Sequence, residues 1–362
     1  MSKLGRILVA MSGGIDSSVA AMLLHEEGWE VVGITMKTWD YASSGGTKKE
    51  TGCCSLDSIN DARAIAVEHG FHHYILDIRN EFGDAVIDNF VDEYLSGRTP
   101  NPCVLCNTHI KWEALYKRAE MLDCEFIATG HYAQVREENG RYVISRGIDH
   151  HKDQSYVLWG LSQDLLARTK FPLGGFRKSE IRQMAMDRGF HELANKSESY
   201  EICFVPDNDY RAFLKNRVPG LEEKLADGKF VNSGGKVLGK HKGYPFYTIG
   251  QRKGLEVAFG EPMYVTRIEP STNTVVLGTF EELEKREMWV RDVNLVKYAS
   301  IPDSTESLTK IRYKDPGTPS SITLHDDRMQ VVFHKNVNAV APGQSAVFYE
   351  EEDLLGGGFI MK

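Results

Sequence analysis

The chain has 362 residues, 41% of them hydrophobic, and a formal net charge of −8. That length calls for two or three domains with sizeable cores. No apolar run of about 18 residues is present to span a membrane, and the first residues lack a signal-peptide core, so a cytoplasmic protein with no membrane partner is expected.

Residues Arg6 to Met11 form an apolar run that reads as a buried strand, and Ser18 to His25 read as a helix. Between them lies Ser12-Gly13-Gly14-Ile15-Asp16-Ser17. Two glycines let the backbone turn tightly and approach a ligand. Ser12, Ser17 and Ser18 place hydroxyls beside the N–H groups of a helix start, which makes an anion site by geometry and dipole. The spacing lacks the lysine of GxxxxGK[ST], which excludes a Walker A loop.

Further along, Glu30 to Lys37 read as a second strand and Leu56 to Gly70 as a helix with Ile59, Ala62, Ile65 and Ala66 on one face. His73 to Ile78 read as a third strand, Glu81 to Gly97 and Thr108 to Leu122 as helices, and Glu125 to Gly130 as a fourth strand. This alternation predicts an α/β fold with a doubly wound parallel sheet. Ligands of such sheets sit beyond the carboxyl ends of the strands. The Ser12 loop, Met36 and Gly130-His131 all lie at such ends.

Tyr41 to Thr51 are rich in Gly, Ser and Lys and read as a mobile loop. Gly140 to Arg146 read as one arm of a hairpin; Lys178 to Gly189 and Asp209 to Val218 read as helices. Bases outnumber acids from Arg141 to Arg188. A basic face on an acidic protein is one reading of this excess, and an ordinary solvated surface is the plainer one. Short strands with Gly-rich turns begin at Gly228, and after about Met288 the pattern is all β, as in a small barrel. The expected domains are 1–208, 209–284 and 285–362.

The six cysteines all lie at or before Cys203, unlike a secreted disulfide scaffold. In GRTPNPCVLCN, residues 97–107, a proline-stiffened loop carries Cys103 and Cys106, and Asn107 reads as the opening of a helix. A cysteine just before a helix start has its thiolate stabilised by the dipole. A lone CxxC fits a redox dithiol, half a zinc site or part of an iron–sulfur site. No second pair completes a zinc set. Cys203 taken alone reads as a small buried apolar residue. Cys124 reads as structural, and the adjacent Cys53 and Cys54 are poorly spaced for one tetrahedral ion.

The blocks SGGIDSS, TMKTWD, GRTPNPCVLCN, ATGHYA, HHKDQSYVLWGL, EICFVP, TIGQRKGL and APGQSAVFY occur in this order from Ser12 to Tyr349. Together they resemble the tRNA-specific 2-thiouridylases, members of the ATP pyrophosphatase superfamily. The resemblance implies an ATP pyrophosphatase catalytic domain, a small central tRNA-binding domain and a C-terminal β-barrel. It implies ATP-dependent adenylation of the C2 oxygen of a wobble uridine and its replacement by sulfur, releasing AMP and pyrophosphate.

Carried over position by position, Ala10, Met11, Ser12, Gly13, Gly14, Ile15, Asp16, Ser17, Met36 and Gly130 would hold ATP, with Mg²⁺ near Asp16. Cys106 would be the nucleophile and Cys203 the persulfide carrier, joined in a transient disulfide. Asn101, Pro102 and Cys103 would face the target base. His131, Lys152, Asp153, Gln154, Arg312, Tyr313 and Gln344 would contact tRNA. Arg312 and Tyr313, read on a barrel strand, have surface and core as their bland alternatives. The implied partners are the tRNAs for Lys, Glu and Gln, and a sulfur-donor protein or sulfide.

One departure matters. The family's common form has aspartate where this chain has Cys103, and thiol and carboxylate are not equivalent at neutral pH. Cys103, Cys106 and Cys203 offer three thiolates, a set able to hold a 4Fe–4S cluster with one open iron for sulfide. Two other functions fit the Ser12 loop alone: another ATP pyrophosphatase, such as an amide-forming synthetase, and a non-catalytic nucleotide or RNA-binding module.

Overall fold

The strand β1 (Arg6–Ala10) is buried through its centre, because neighbours flank it on both edges and helices cover both faces. The computed structural model describes residues 4–39, 55–196, 202–255 and 260–362. The loop expected at Tyr41 to Thr51, and Cys53 and Cys54, lie outside the described residues. β1 pairs in parallel with β2 (Glu30–Lys37) on one side, and β2 pairs in parallel with β3 (His72–Asp77). On its other side β1 pairs in parallel with β4 (Phe126–Thr129).

A hairpin follows, β5 (Ala133–Glu138) and β6 (Arg141–Arg146), and then the short strand β7 (Thr169–Lys170). The first sheet has the order β3-β2-β1-β4-β7 and is parallel throughout. Its order reverses between β1 and β4, so the crevice for a ligand opens beside the turn after β1 and the end of β4.

The central part carries β8 (Gly228–Asn232), β9 (Val237–His241), β10 (Tyr264–Glu269) and β11 (Thr274–Gly278) in the order β10-β11-β8-β9. The last part carries β12 (Glu284–Leu295), β13 (Thr305–Lys310), β14 (Thr318–His325), β15 (Arg328–Asn338), β16 (Ser345–Glu350) and β17 (Asp353–Ile360). These run β12-β15-β14-β13-β16-β17, and a β12–β17 pairing closes them into a six-stranded barrel. The hairpin β5–β6 adds to the barrel through Ser145 and Asp353. There Asp353 takes Arg136 Nη2 at 2.8 Å, Lys297 Nζ at 2.8 Å and Ser145 Oγ at 2.6 Å. Among the described residues, no helix is long and apolar enough to cross a membrane.

One helical stretch differs from its sequence reading. The helix expected from Thr108 begins at Pro102 and continues to Met121, through a wider π-helical turn at Cys106–Lys111. Proline is favoured at the first helical position, where its missing N–H costs nothing. Asn107 is not a cap: it is buried and donates Nδ2–H to Val157 O at 3.2 Å. Cys103 therefore stands in the first turn and Cys106 lies one turn inside the helix.

This helix is wedged between domains. Cys106 lies in a buried cluster with Phe82, Phe90, Phe204, Phe213 and Phe230, which joins the first domain to the central sheet. Val104 and Trp112 lie in another with Tyr156, Val347 and Tyr349, which joins the first domain to the barrel.

Candidate active site

The turn after β1 is built as the sequence predicts. Helix Ile15–Glu27 starts at Gly14 with no side-chain cap, so its first N–H groups stay available to a ligand. Ser17 Oγ accepts from Ser12 N at 3.0 Å and donates to Gly14 O at 3.1 Å, which fixes the loop against itself. Gly13 has φ +69, and a Cβ there would meet Ser58 O at 1.9 Å. Gly130 closes the other wall; a Cβ on it would stand 2.7 Å from Ser17 N. The strand end therefore packs directly on the helix start.

Asp16, in the first turn, is already engaged. Lys178 Nζ donates to its two carboxylate oxygens at 2.7 and 2.8 Å, and Tyr132 Oη donates at 2.6 Å. Lys178 is buried at the start of the helix Lys178–Asp187, whose first N–H is held by Asp149 Oδ2 at 3.0 Å. On the other wall Lys196 Nζ reaches Gly13 O at 3.2 Å and Asp61 Oδ2 at 2.6 Å. Two lysines thus flank a cradle of backbone N–H groups, an arrangement suited to a polyphosphate.

The thiol end lies along the helix 102–121. Cys103 is exposed at its surface, yet protein crowds it closely: burial pushes its thiol pKa up, neighbouring Cys106 adds to this, and Lys111 opposes both. Lys111 also acts on His131, whose pKa is pushed down to about 3, first by burial and then by that lysine. The imidazole is neutral at working pH and its Nδ1 lies 2.7 Å from Thr129 Oγ1, with Trp112 and Phe171 around the ring. Cys103 in turn raises the Tyr313 hydroxyl, although burial and Asp153 weigh more there. Cys103, Lys111, His131, Tyr313 and Asp153 therefore share one electrostatic neighbourhood.

Cys106 is buried in the same cluster as Phe204 and Val205, the residues that follow Cys203. Cys203 itself is exposed. The bland reading of Cys203 as a buried apolar residue does not hold; Phe204 takes that role and leaves the thiol at the surface. Cys124 is buried and its thiol is pushed up to about 11, chiefly by burial, as a structural cysteine. Among the described residues, no three His, Cys, Asp or Glu stand together as a metal-ligand set.

The segment at 149–156 connects the two ends. Asp153 is buried and accepts from Ser155 N at 3.0 Å, Ser155 Oγ at 3.0 Å and Gly147 N at 3.3 Å. Gln154 Oε1 accepts from Tyr132 N at 3.0 Å, while Gln154 N donates to Tyr132 O at 2.9 Å. Since Tyr132 also holds Asp16, this loop is tied to the nucleotide cradle. Tyr313 Oη donates to Asp153 O at 2.9 Å. Arg312 and Tyr313 lie in the turn after β13 rather than on a barrel strand, because β13 ends at Lys310. The basic excess from Arg141 to Arg188 is largely spent inside the fold: Arg141 on barrel carbonyls, Arg168 on Cys124 O and Glu125 O, Arg188 on Glu26.

Lys178, Lys111, Tyr132 and Lys196 are the site residues that sequence reasoning misses. The three lysines are single residues in segments with no chemical pattern of their own, Tyr132 lies in the ATGHYA block without a role assigned to it, and each meets the site only through folding.

Comparison with known proteins agrees with this layout. A family profile described as tRNA methyl transferase HUP domain matches residues 5–207, one described as tRNA methyl transferase PRC-barrel domain matches 211–279, and one described as Aminomethyltransferase beta-barrel domain matches 285–360. The chain is 65% identical to the tRNA-specific 2-thiouridylase MnmA of Cytophaga hutchinsonii, over 99% of this chain and 98% of that one. It is 64% identical to the protein of the same name from Amoebophilus asiaticus, over 99% and 96% of the two chains. With that of Salinibacter ruber the identity is 59%, over 99% and 95%.

Proposed function

The chain belongs to the tRNA-specific 2-thiouridylase family, and on that premise we propose how its residues share the work of placing sulfur on a tRNA uridine. The profile descriptions speak of methyl transfer; the full-length relatives and the two cysteine segments packed on one core favour sulfur.

ATP lies with its phosphates on the Ser12–Ser17 cradle, against Ala10, Met11, Met36 and Gly130. Uridine C2 is a poor electrophile and its oxygen a poor leaving group. Transfer of AMP to that oxygen, with loss of pyrophosphate, creates a leaving group. Lys178 and Lys196 neutralise phosphate charge beside the helix start. A Mg²⁺ arriving with the nucleotide would supply further neutralisation, with Asp16 as the nearby carboxylate once phosphate draws Lys178 away.

The terminal sulfur of a persulfide on Cys203 then attacks C2, and AMP departs with the oxygen. Cys106 attacks the Cys203 Sγ, which leaves the second sulfur on the base as a thiocarbonyl and joins Cys106 to Cys203. With a persulfide-carrying protein as donor, a dithiol reductant supplies two electrons to open the Cys106–Cys203 disulfide, and the donor then passes its outer sulfur to the Cys203 thiolate. With sulfide as donor, the sulfide attacks Cys203 Sγ of that disulfide, expels the Cys106 thiolate and leaves a persulfide on Cys203, the disulfide itself being the oxidant. Among the described residues Cys103, Cys106 and Cys203 do not stand together as a metal-ligand set, which favours a persulfide over a cluster-bound sulfide as the sulfur carrier.

The base must leave its anticodon stack to reach Cys103, Asn101 and Pro102. His131, Lys152, Arg312 and Tyr313 contact the RNA, Asp153 and Gln154 act by shaping the loop that carries Lys152, and Gln344 acts through the carbonyls of Thr99 and Pro100 that its amide holds. The substrates are tRNAs with a wobble uridine, those for Lys, Glu and Gln.

The observation that carries this reading is that Cys106 and the two residues after Cys203, Phe204 and Val205, belong to one buried cluster, with a crowded Cys103 one turn away on the same helix. It is tested by anaerobic turnover with ATP, a persulfide donor and unmodified tRNA, followed by mass spectrometry of the nucleosides. 2-Thiouridine at the wobble position, lost in Cys106→Ser and Cys203→Ser, is the expected result. AMP formed without sulfur in the RNA, or full turnover by Cys106→Ser, would overturn it.

A further inference from the structure

The loop that leads into the cysteine helix makes several of its hydrogen bonds to another domain, the barrel. Thr99 N donates to Pro342 O at 2.8 Å. Gln344 Nε2 donates to Pro100 O at 2.7 Å and to Thr99 O at 3.3 Å. Asn101 Nδ2 donates to Ser345 Oγ at 3.3 Å, and Tyr156 Oη donates to Ser345 O at 2.9 Å. All the barrel partners lie in residues 342–345, at the entry to β16.

The contact is tight as well as polar. A Cβ on Gly343 would come within 2.8 Å of Thr99 O and of Glu93 Oε2. Glu93 in turn clamps Arg98 through Nη2 at 2.5 Å and Nε at 2.7 Å. The physical need for outside donors is plain in the sequence. Pro100 and Pro102 have no N–H, so this loop cannot satisfy its own carbonyls. An amide with two N–H donors, borrowed from the barrel, serves two of them.

We propose that the barrel loop 342–345 is a latch that sets the start of the thiol-bearing helix, with Gln344 as the positioning residue for Cys103 and Cys106. The barrel thereby acts on the sulfur chemistry through the protein, separately from any grip on RNA. A displacement of about 1 Å at a reacting group costs on the order of 100-fold in rate, so two hydrogen bonds at the base of the loop suffice to matter. The proposal rests on the reading of Cys106 as the thiol that completes sulfur transfer.

The test uses the full-length protein and Gln344→Glu, which keeps shape but turns both donors into acceptors, with Ser345→Ala as a milder second variant. Thiolation kinetics, tRNA affinity by filter binding, and the rate of Cys103 alkylation by iodoacetamide without RNA are measured. Gln344→Glu should lower kcat at least tenfold, leave KM and Kd for tRNA within twofold, and speed alkylation several-fold; Ser345→Ala should shift both in the same direction by less. Unchanged alkylation, or a loss confined to KM and Kd, would overturn the latch and leave Gln344 as an RNA contact. Cys106→Ser run in parallel separates the two claims: its retained turnover would break the sulfur reading, while altered alkylation in Gln344→Glu would still report the latch.

Discussion

Lys178 Nζ stands 2.7 and 2.8 Å from the two carboxylate oxygens of Asp16, across 162 positions of sequence. An acid in the first turn of a helix suits the helix dipole but repels phosphate. The buried ammonium cancels that repulsion and offers a cation to the nucleotide. Lys178→Met keeps the length and removes the charge. It should weaken ATP and pyrophosphate binding by about tenfold or more, equivalent to about 1.4 kcal/mol, as read by isothermal titration. In Asp16→Asn/Lys178→Met the loss should persist relative to Asp16→Asn alone. Recovery to the level of Asp16→Asn would make Lys178 a mere counter-ion.

Gly130 and Gly14 predict opposite outcomes for the same substitution. An alanine at Gly130 would press on Ser17 N and Asp16 C at 2.7 and 2.8 Å, both backbone atoms of the cradle. Gly130→Ala should cost roughly 1–3 kcal/mol, as overpacking does, and lower both the melting temperature and ATP affinity. At Gly14 the backbone is extended, and a Cβ would meet only Ser12 Oγ at 3.5 Å. Gly14→Ala should fold at least as stably as the parent, because it restricts the unfolded chain without a native clash. Equal melting temperatures for the two variants would contradict this account.

The cradle is legible in the sequence because strand, turn and helix follow one another, so the chemistry of Ser12 to Ser18 is local. The lysines are not, since Lys178 and Lys196 reach the cradle from a distant helix and from the end of another segment. The start of the cysteine helix is misread for a different reason. Asn107 has the chemistry of a cap, but Pro102 offers the better first position and the wide turn at Cys106–Lys111 absorbs the mismatch. β17 carries three successive glycines, a composition that weakens a strand signal. Those glycines are required by close neighbours: a Cβ on Gly357 would strike the Trp159 ring at 2.7 Å and one on Gly356 would strike Asn294 O at 2.2 Å.

Iron content separates the persulfide route from a cluster-borne sulfide. Cys103, Cys106 and Cys203 are not gathered as a ligand set among the described residues. Protein purified without oxygen should contain no stoichiometric iron, show no broad visible absorbance and still thiolate tRNA with a persulfide donor. Stoichiometric iron that is lost together with activity on chelation would reverse this and make the three thiols cluster ligands.

His131 gives the pH dependence a definite sign. Burial, with help from Lys111, pushes its pKa down to about 3 from an ordinary value of 6.5. The native state therefore refuses a proton that the unfolded chain accepts. Stability from this source is full above about pH 6.5 and falls progressively as the pH drops toward 3. At pH 5 the loss should be about 1–2 kcal/mol, reduced from the full linkage value because the ring is partly exposed. Buried His241, pushed down to about 4, falls in the same direction, so the protein as a whole should be acid-labile. Urea unfolding of the parent and of His131→Gln at pH 7.5 and pH 5 isolates the first contribution. The variant should lose less stability between the two pH values than the parent does. Between pH 6.5 and 8 the imidazole stays neutral, so its share of tRNA binding should not change with pH. If His131→Gln instead abolished a pH dependence of tRNA affinity in that range, the imidazole would be acting as a cation, against the burial seen here.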